Sequence, residues 1–95
     1  MKQYILFIHG NAKTQSTAEE WETFFCAARA SGLFNGGSAI GERCMLGEPS
    51  APSSDHIVGY MRFDAENKQQ IVDLLKQHPV LVHGGSAELC EMPKT

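Results

Sequence analysis

No stretch of this chain approaches the ~18 consecutive apolar residues of a membrane-spanning helix, so none is expected. Basic residues are few and scattered. Eight Lys and Arg stand against eleven Asp and Glu, for a net charge of −3. The clustered positive footprint with which nucleic-acid binders neutralise phosphates is missing, and nucleic acid is set aside as a partner. The cysteines Cys26, Cys44 and Cys90 are odd in number and include no CxxC pair, which excludes a disulfide framework and fits a reducing, cytoplasmic setting. There is no HxxxH or HExxH, and neither Cys44 nor Cys90 is at ligand spacing from a histidine, so no metal or cofactor is expected. Gly36, Gly37 and Gly41 imitate a phosphate loop, but Glu42 and Arg43 stand where Lys and Ser or Thr are needed. No Gly-x-Ser-x-Gly elbow surrounds Ser86.

What is present is an ordinary folded composition, 42 % hydrophobic and 20 % charged. Ninety-five residues make one domain, 1–95, which buries roughly 60 to 65 % of the surface its unfolded chain exposes. Residues 4–8 are continuously apolar, as in a central strand covered on both faces; the run is too short for a signal peptide and lacks a cleavage site. Thr17 and Glu20 form a capping box, followed by a stripe of Trp21, Phe24, Phe25 and Ala28 and a stop at Gly32. Next to Phe25 in this helix, Cys26 reads as a small buried side chain. A glycine-broken, bent second strand is expected over 33–46, then a loop over 47–55.

The last third reads strand, helix, strand. A third strand over 56–63 leads to a helix capped by Asp64, with Ile71, Val72, Leu74 and Leu75 buried, ending near His78 before Pro79. A fourth strand is expected over 80–91 and a frayed tail over 92–95. The order β-α-β-β-α-β gives an α+β, ferredoxin-like fold with a four-stranded antiparallel sheet, strand order 4-1-3-2, and both helices on one face. Strands one and three are apolar on both faces, so the other face is expected to be covered by a second copy, forming a homodimer.

Gly32-Leu33 leading into Gly36-Gly37, Gly59-Tyr60 in the third strand, and His78-Pro79 followed by Gly84-Gly85 resemble the YCII-related proteins, including their DGPF branch. The likeness covers nearly the whole chain. It implies a dimeric α+β barrel with a cleft in each subunit and action on small, often aromatic, molecules. In one branch a proposed His-Asp pair places its histidine about three turns before the closing glycine of the first helix; Trp21 holds that place here. The Asp-Gly-Pro-Phe signature of the other branch is absent between strands two and three. No catalytic residue carries over from either branch.

The candidate chemistry rests on four histidines. In the 4-1-3-2 order the end of strand one lies beside the start of strand three, so His9 is expected near His56 and Asp55, with His83, early in strand four, at the same sheet end. A histidine beside a carboxylate is a workable general base. The alternative is four strand-end histidines satisfied by backbone or water. Tyr60 and Arg62 share one face of strand three; with His83 and Trp21 they are candidate ligand-binding residues if that face borders the cleft. The sequence therefore points to a homodimer that binds or acts on a small organic molecule through His9, His56 and Asp55. A non-catalytic interaction module, contacting a partner through loop 47–55, is the other reading.

Overall fold

The computed structural model describes residues 1–48 and 51–94. Its elements are β1 (Lys2–His9), α1 (Ala18–Ser31), β2 (Phe34–Ala39), β3 (Ile57–Ala65), α2 (Lys68–Leu75), α3 (Pro79–Val82) and β4 (Ala87–Met92). The strands form one antiparallel sheet in the order β2-β3-β1-β4. This is an α+β arrangement compatible with the ferredoxin-like expectation, with a third, short helix added before β4.

Alternation along the two central strands decides which face the helices cover. Tyr4, Leu6 and Ile8 of β1 pair with Phe63, Met61 and Gly59 of β3, and all six are buried. Phe24 and Ala28 of α1 and Ile71, Leu74 and Leu75 of α2 complete that core. The other face carries Ile5, Phe7, Tyr60 and Cys90, which remain half-buried, together with exposed Arg62 and Glu88. The helices cover the first face; on the second, β1 is apolar at Ile5 and Phe7, but β3 presents Tyr60, Arg62 and Asp64, so the expectation that β3 is apolar on both faces is corrected.

Helix α1 forms as its sequence dictates. Thr17 accepts the Glu20 amide while Glu20 accepts the Thr17 amide, and Gly32 closes the helix at φ 74°. Phe24 and Ala28 are buried and Trp21 and Phe25 half-buried, but Cys26 is exposed, because it falls off the stripe onto the water side.

Further expectations are corrected. The second strand ends at Ala39 rather than running to position 46. Asp64 does not cap α2: it pairs with Gln3 inside β3, and Asn67 accepts the Gln70 amide as the cap instead. Val72 is 38 % exposed, turned away from the core beside Ile71. Residues 80–82 are helical, because Pro79 supplies a preset φ at the first helical position and His78 accepts the Val80 amide. The expected loop 47–55 includes Pro49 and Ser50, and the expected tail includes Thr95; these three lie outside the described residues. Met92 belongs to β4. No helix among the described residues is long and apolar enough to cross a membrane.

Candidate functional site

Elements α1, α3, β1, β3 and β4 all bring polar side chains to one end of the sheet. There β1 finishes at His9, β3 starts at Ile57, and β4 starts at Ala87 opposite Ile8. The β1–β3 register slips between Ile8 and His9, so Val58 is an extra residue on β3. Such a bulge re-aims the side chains beside it.

Beyond the bulge, His9 Nδ1 lies 2.8 Å from Ser86 Oγ. Asn11 Nδ2 donates to the same oxygen at 2.9 Å, and Asn11 Oδ1 accepts the Ser86 amide at 2.9 Å. Ser86 Oγ keeps a second lone pair beside the one taken by Asn11, so the His9 tautomer decides whether the hydroxyl or the ring nitrogen donates across this contact. The His56 ring stands 5.6 Å from that of His9, and the His56 carbonyl accepts the Gly10 amide. The expected meeting of His9 and His56 is therefore present. Asp55 instead holds Ser53 at 2.8 Å and Arg43 at 3.6 Å, and Arg43 also donates to the Ile57 carbonyl.

His83 is not in a strand. It follows α3, where Nδ1 lies 2.7 Å from Thr14 Oγ1 and Nε2 lies 2.7 Å from Glu20 Oε2. The His83 ring first, and then the Thr17 amide, hold the Glu20 carboxyl below its ordinary range.

Gly84 and Gly85 explain how loop 84–86 comes close enough. A Cβ on Gly85 would stand 2.6 Å from Val80 Cγ1 and 3.1 Å from Ala12 Cα, and Gly84 adopts φ 83°. Only glycine lets the chain pass between α3 and loop 10–17 and deliver Ser86 to His9. Ser86, Asn11, Thr14 and Glu20 escape sequence reasoning; the Gly84-Gly85 pair is the signal that marks the place.

Beside this polar end lies an apolar cavity of about 310 Å³ between α1 and the β2–β3 edge. Trp21, Phe25 and Phe34 wall one side, and Ile8, Val58, Met61 and Val80 much of the rest. Gly37, Ala39 and Gly59 line it on the β2–β3 side. Trp21 is fixed there by stacking on Phe25 at 5.8 Å and by donating from Nε1 to Ser16 Oγ at 2.9 Å. Tyr60 and Arg62 share the uncovered face of the sheet, as expected; Tyr60 also borders the cavity on β3, whereas Arg62 does not line it.

Behind Trp21 sits His78, fully buried, 5.0 Å edge-on from the Trp21 ring and 4.7 Å from that of Phe24. Its Nδ1 accepts the Val80 amide at 3.2 Å, and its Nε2 has no hydrogen-bond partner. Burial pushes its pKa down to about 4, so the core holds it neutral. Among the described residues no three His, Cys, Asp or Glu side chains are grouped to hold a metal ion.

No known protein family matches this chain, and no curated protein matches it.

Proposed function

We propose that this chain is a YCII-like homodimeric protein that binds a small apolar or aromatic molecule in the cavity between α1 and the β2–β3 edge, with His9 and Ser86 supplying acid–base chemistry at its sheet end. The observation that carries this reading is the cavity itself. Its volume of about 310 Å³ is at the lower end for small-molecule sites, suited to a single-ring compound, and its wall is aromatic and aliphatic. Ile8 lines it at the end of the sheet where β1 finishes, and the His9–Ser86 pair stands at that same end, outside the lining itself. Asp55, engaged with Arg43, drops out of the proposed chemistry in favour of Ser86.

The chain's single tryptophan, Trp21, lines the cavity and so reports its occupancy. Titration with indole, benzoate and 4-hydroxybenzoate should change Trp21 emission saturably for at least one of them. Ala39→Phe, which fills the space, should weaken that binding at least about tenfold. If every compound leaves the emission unchanged, the binding reading fails. Folded His9→Ala and His56→Ala variants that bind like the parent would remove these histidines from the site.

The uncovered sheet face supports the dimer. Ile5, Phe7, Tyr60 and Cys90 lie on it with no helix over them, and Val58 beside the bulge is 43 % exposed. A second copy packed there would bury this surface. Sedimentation at micromolar concentration should give a dimer, and Phe7→Glu should give a monomer by placing a charge at the centre of that face. A stable monomer in the parent protein refutes this part of the proposal.

A further inference from the structure

The His9–Ser86 cluster leaves a second group of chemically competent side chains unused at the same end of the molecule. Thr14, His83 and Glu20 come from three separate elements, yet each successive pair of polar atoms is 2.7 Å apart. In the neutral ring the Glu20 carboxylate accepts the proton of Nε2, which leaves Nδ1 as an acceptor for the Thr14 hydroxyl. The pattern is a hydroxyl nucleophile on a base that a third group orients. Glu20 is itself immobilised, because its other oxygen accepts the Thr17 amide at 2.9 Å. His83 is held from both sides, with its side chain only 20 % exposed, while Thr14 is open to solvent. The His83 carbonyl also accepts the Lys13 amide at 2.9 Å, which pins the backbone next to Thr14 to that of the base.

We propose that Thr14, His83 and Glu20 form a nucleophile–base–carboxylate relay that hydrolyses small esters by acyl transfer to Thr14. Thr14 Oγ1 forms a bond to the ester carbonyl carbon as its proton passes to His83 Nδ1. The tetrahedral adduct collapses, the bond to the alkoxy oxygen breaks, and the departing alcohol takes the proton from Nδ1. Water then adds to the acyl-threonine, giving a proton to Nδ1. The acyl–oxygen bond to Thr14 breaks, the carboxylic acid leaves, and the proton returns to Oγ1. Ester and water become acid and alcohol, with the protein unchanged. Glu20 touches no reacting atom; it is a positioning residue that sets the tautomer of His83 and balances the imidazolium formed in each half-reaction.

The acyl group has a natural resting place nearby. Glu20 is followed on α1 by Trp21, and His83 follows the helix that contributes Val80, and both Trp21 and Val80 line the apolar cavity. That preference for apolar acyl groups rests on the binding reading; the relay itself does not.

The test uses 4-nitrophenyl acetate with the full chain. The expected result is a burst of about one nitrophenolate per chain followed by slower turnover. Peptide mass mapping of acid-quenched protein should locate one acetyl on Thr14. Thr14→Ser, which keeps the hydroxyl, should retain the burst. Thr14→Val should lose it, and His83→Gln should slow acylation at least about 100-fold.

Glu20→Gln separates orientation from structure. The amide oxygen can still accept the Thr17 amide and keep the helix cap, but its NH₂ then faces Nε2 and forces the proton onto Nδ1, where it blocks acceptance from Thr14. The expected result is at least about a 100-fold lower kcat with KM unchanged in folded protein, a split that a merely structural role would not produce. An acetyl found on Cys26, Cys44 or Lys13 in place of Thr14, a burst that survives in Thr14→Val, or no burst at all overturns the relay. If the relay fails while Trp21 emission still reports binding, the cavity reading stands; the reverse outcome leaves the relay without the cavity.

Discussion

Taking the protein from pH 7 to pH 4 should cost it about 3 kcal/mol of folding stability through His78 alone. The folded pKa of this histidine is about 4, against 6.5 for the ordinary side chain, because burial disfavours the charged ring. Between those two values the unfolded chain binds a proton that the folded one refuses, so stability falls as pH falls. The loss begins near pH 6.5 and levels off about a unit below pH 4, once the folded state is protonated too; well above 6.5 both states are neutral and His78 contributes no slope. At about 1.4 kcal/mol per pH unit, the gap sets the size. Glu20 and Asp73, both held below the ordinary carboxylate range, lose their contributions at lower pH and in the same direction. Urea unfolding of the parent and of His78→Asn across this range isolates the histidine. Asparagine still accepts the Val80 amide as a cap. The variant should be less stable at pH 7, because it leaves a void against Trp21 and Phe24, yet its stability should be nearly flat from pH 6.5 to pH 4.5. An unchanged slope would mean that His78 is protonated in the fold.

Gly37→Ala should destabilise the protein by about 2–3 kcal/mol and detach β2 from the sheet. A Cβ at this position strikes the Tyr60 carbonyl and stands 2.9 Å from Met61 Cα, and both obstacles are backbone. A side chain can rotate away from a clash; a paired strand cannot. The main relief is to move β2 off β3, which breaks the ladder at Ser38–Tyr60 and Ala39–Gly59 and opens the cavity wall. The same variant should therefore show red-shifted Trp21 emission. Gly41→Ala is the control: nothing lies within 4 Å of its Cβ position and its φ is not left-handed, so stability should stay within about 0.5 kcal/mol. Equal stabilities for the two variants would show that β2 is not held at this distance from β3.

These two residues also show where sequence reading reaches and where it stops. Helix α1 is legible because its cap, its stripe and its closing glycine are all local and agree with one another. The antiparallel sheet follows from element order, and with it the approach of His9 to His56. Residues 80–82 mislead because Val-Leu-Val favours strands, and a run of three is too short to show a period; the decision falls to Pro79 and the cap at His78. Asp64 and Asn67 are equally good caps, and only the ladder to Gln3 assigns Asp64 to β3. With α3 misread, His83 goes to the wrong element, and its partners Thr14 and Glu20 cannot be named. Their meeting depends on a loop closing over 63 and 69 residues of sequence, which no local pattern encodes.

The pairing of β1 with β4 has a consequence for biosynthesis. His9 and Ser86 are 77 positions apart, and every bond of that ladder joins the first of the four strands to the fourth. A ribosome that has released residues 1–65 has already made β1, α1, β2 and β3, but β1 then stands as an open sheet edge carrying Ile5 and Phe7. Until β4 docks, that edge is a template for pairing with another nascent chain. Chains that stop before residue 87 should accumulate as chaperone-bound or aggregated material. Completion of the sheet and assembly of the His9–Ser86 pair are thus one event, so a product truncated before β4 cannot form that pair.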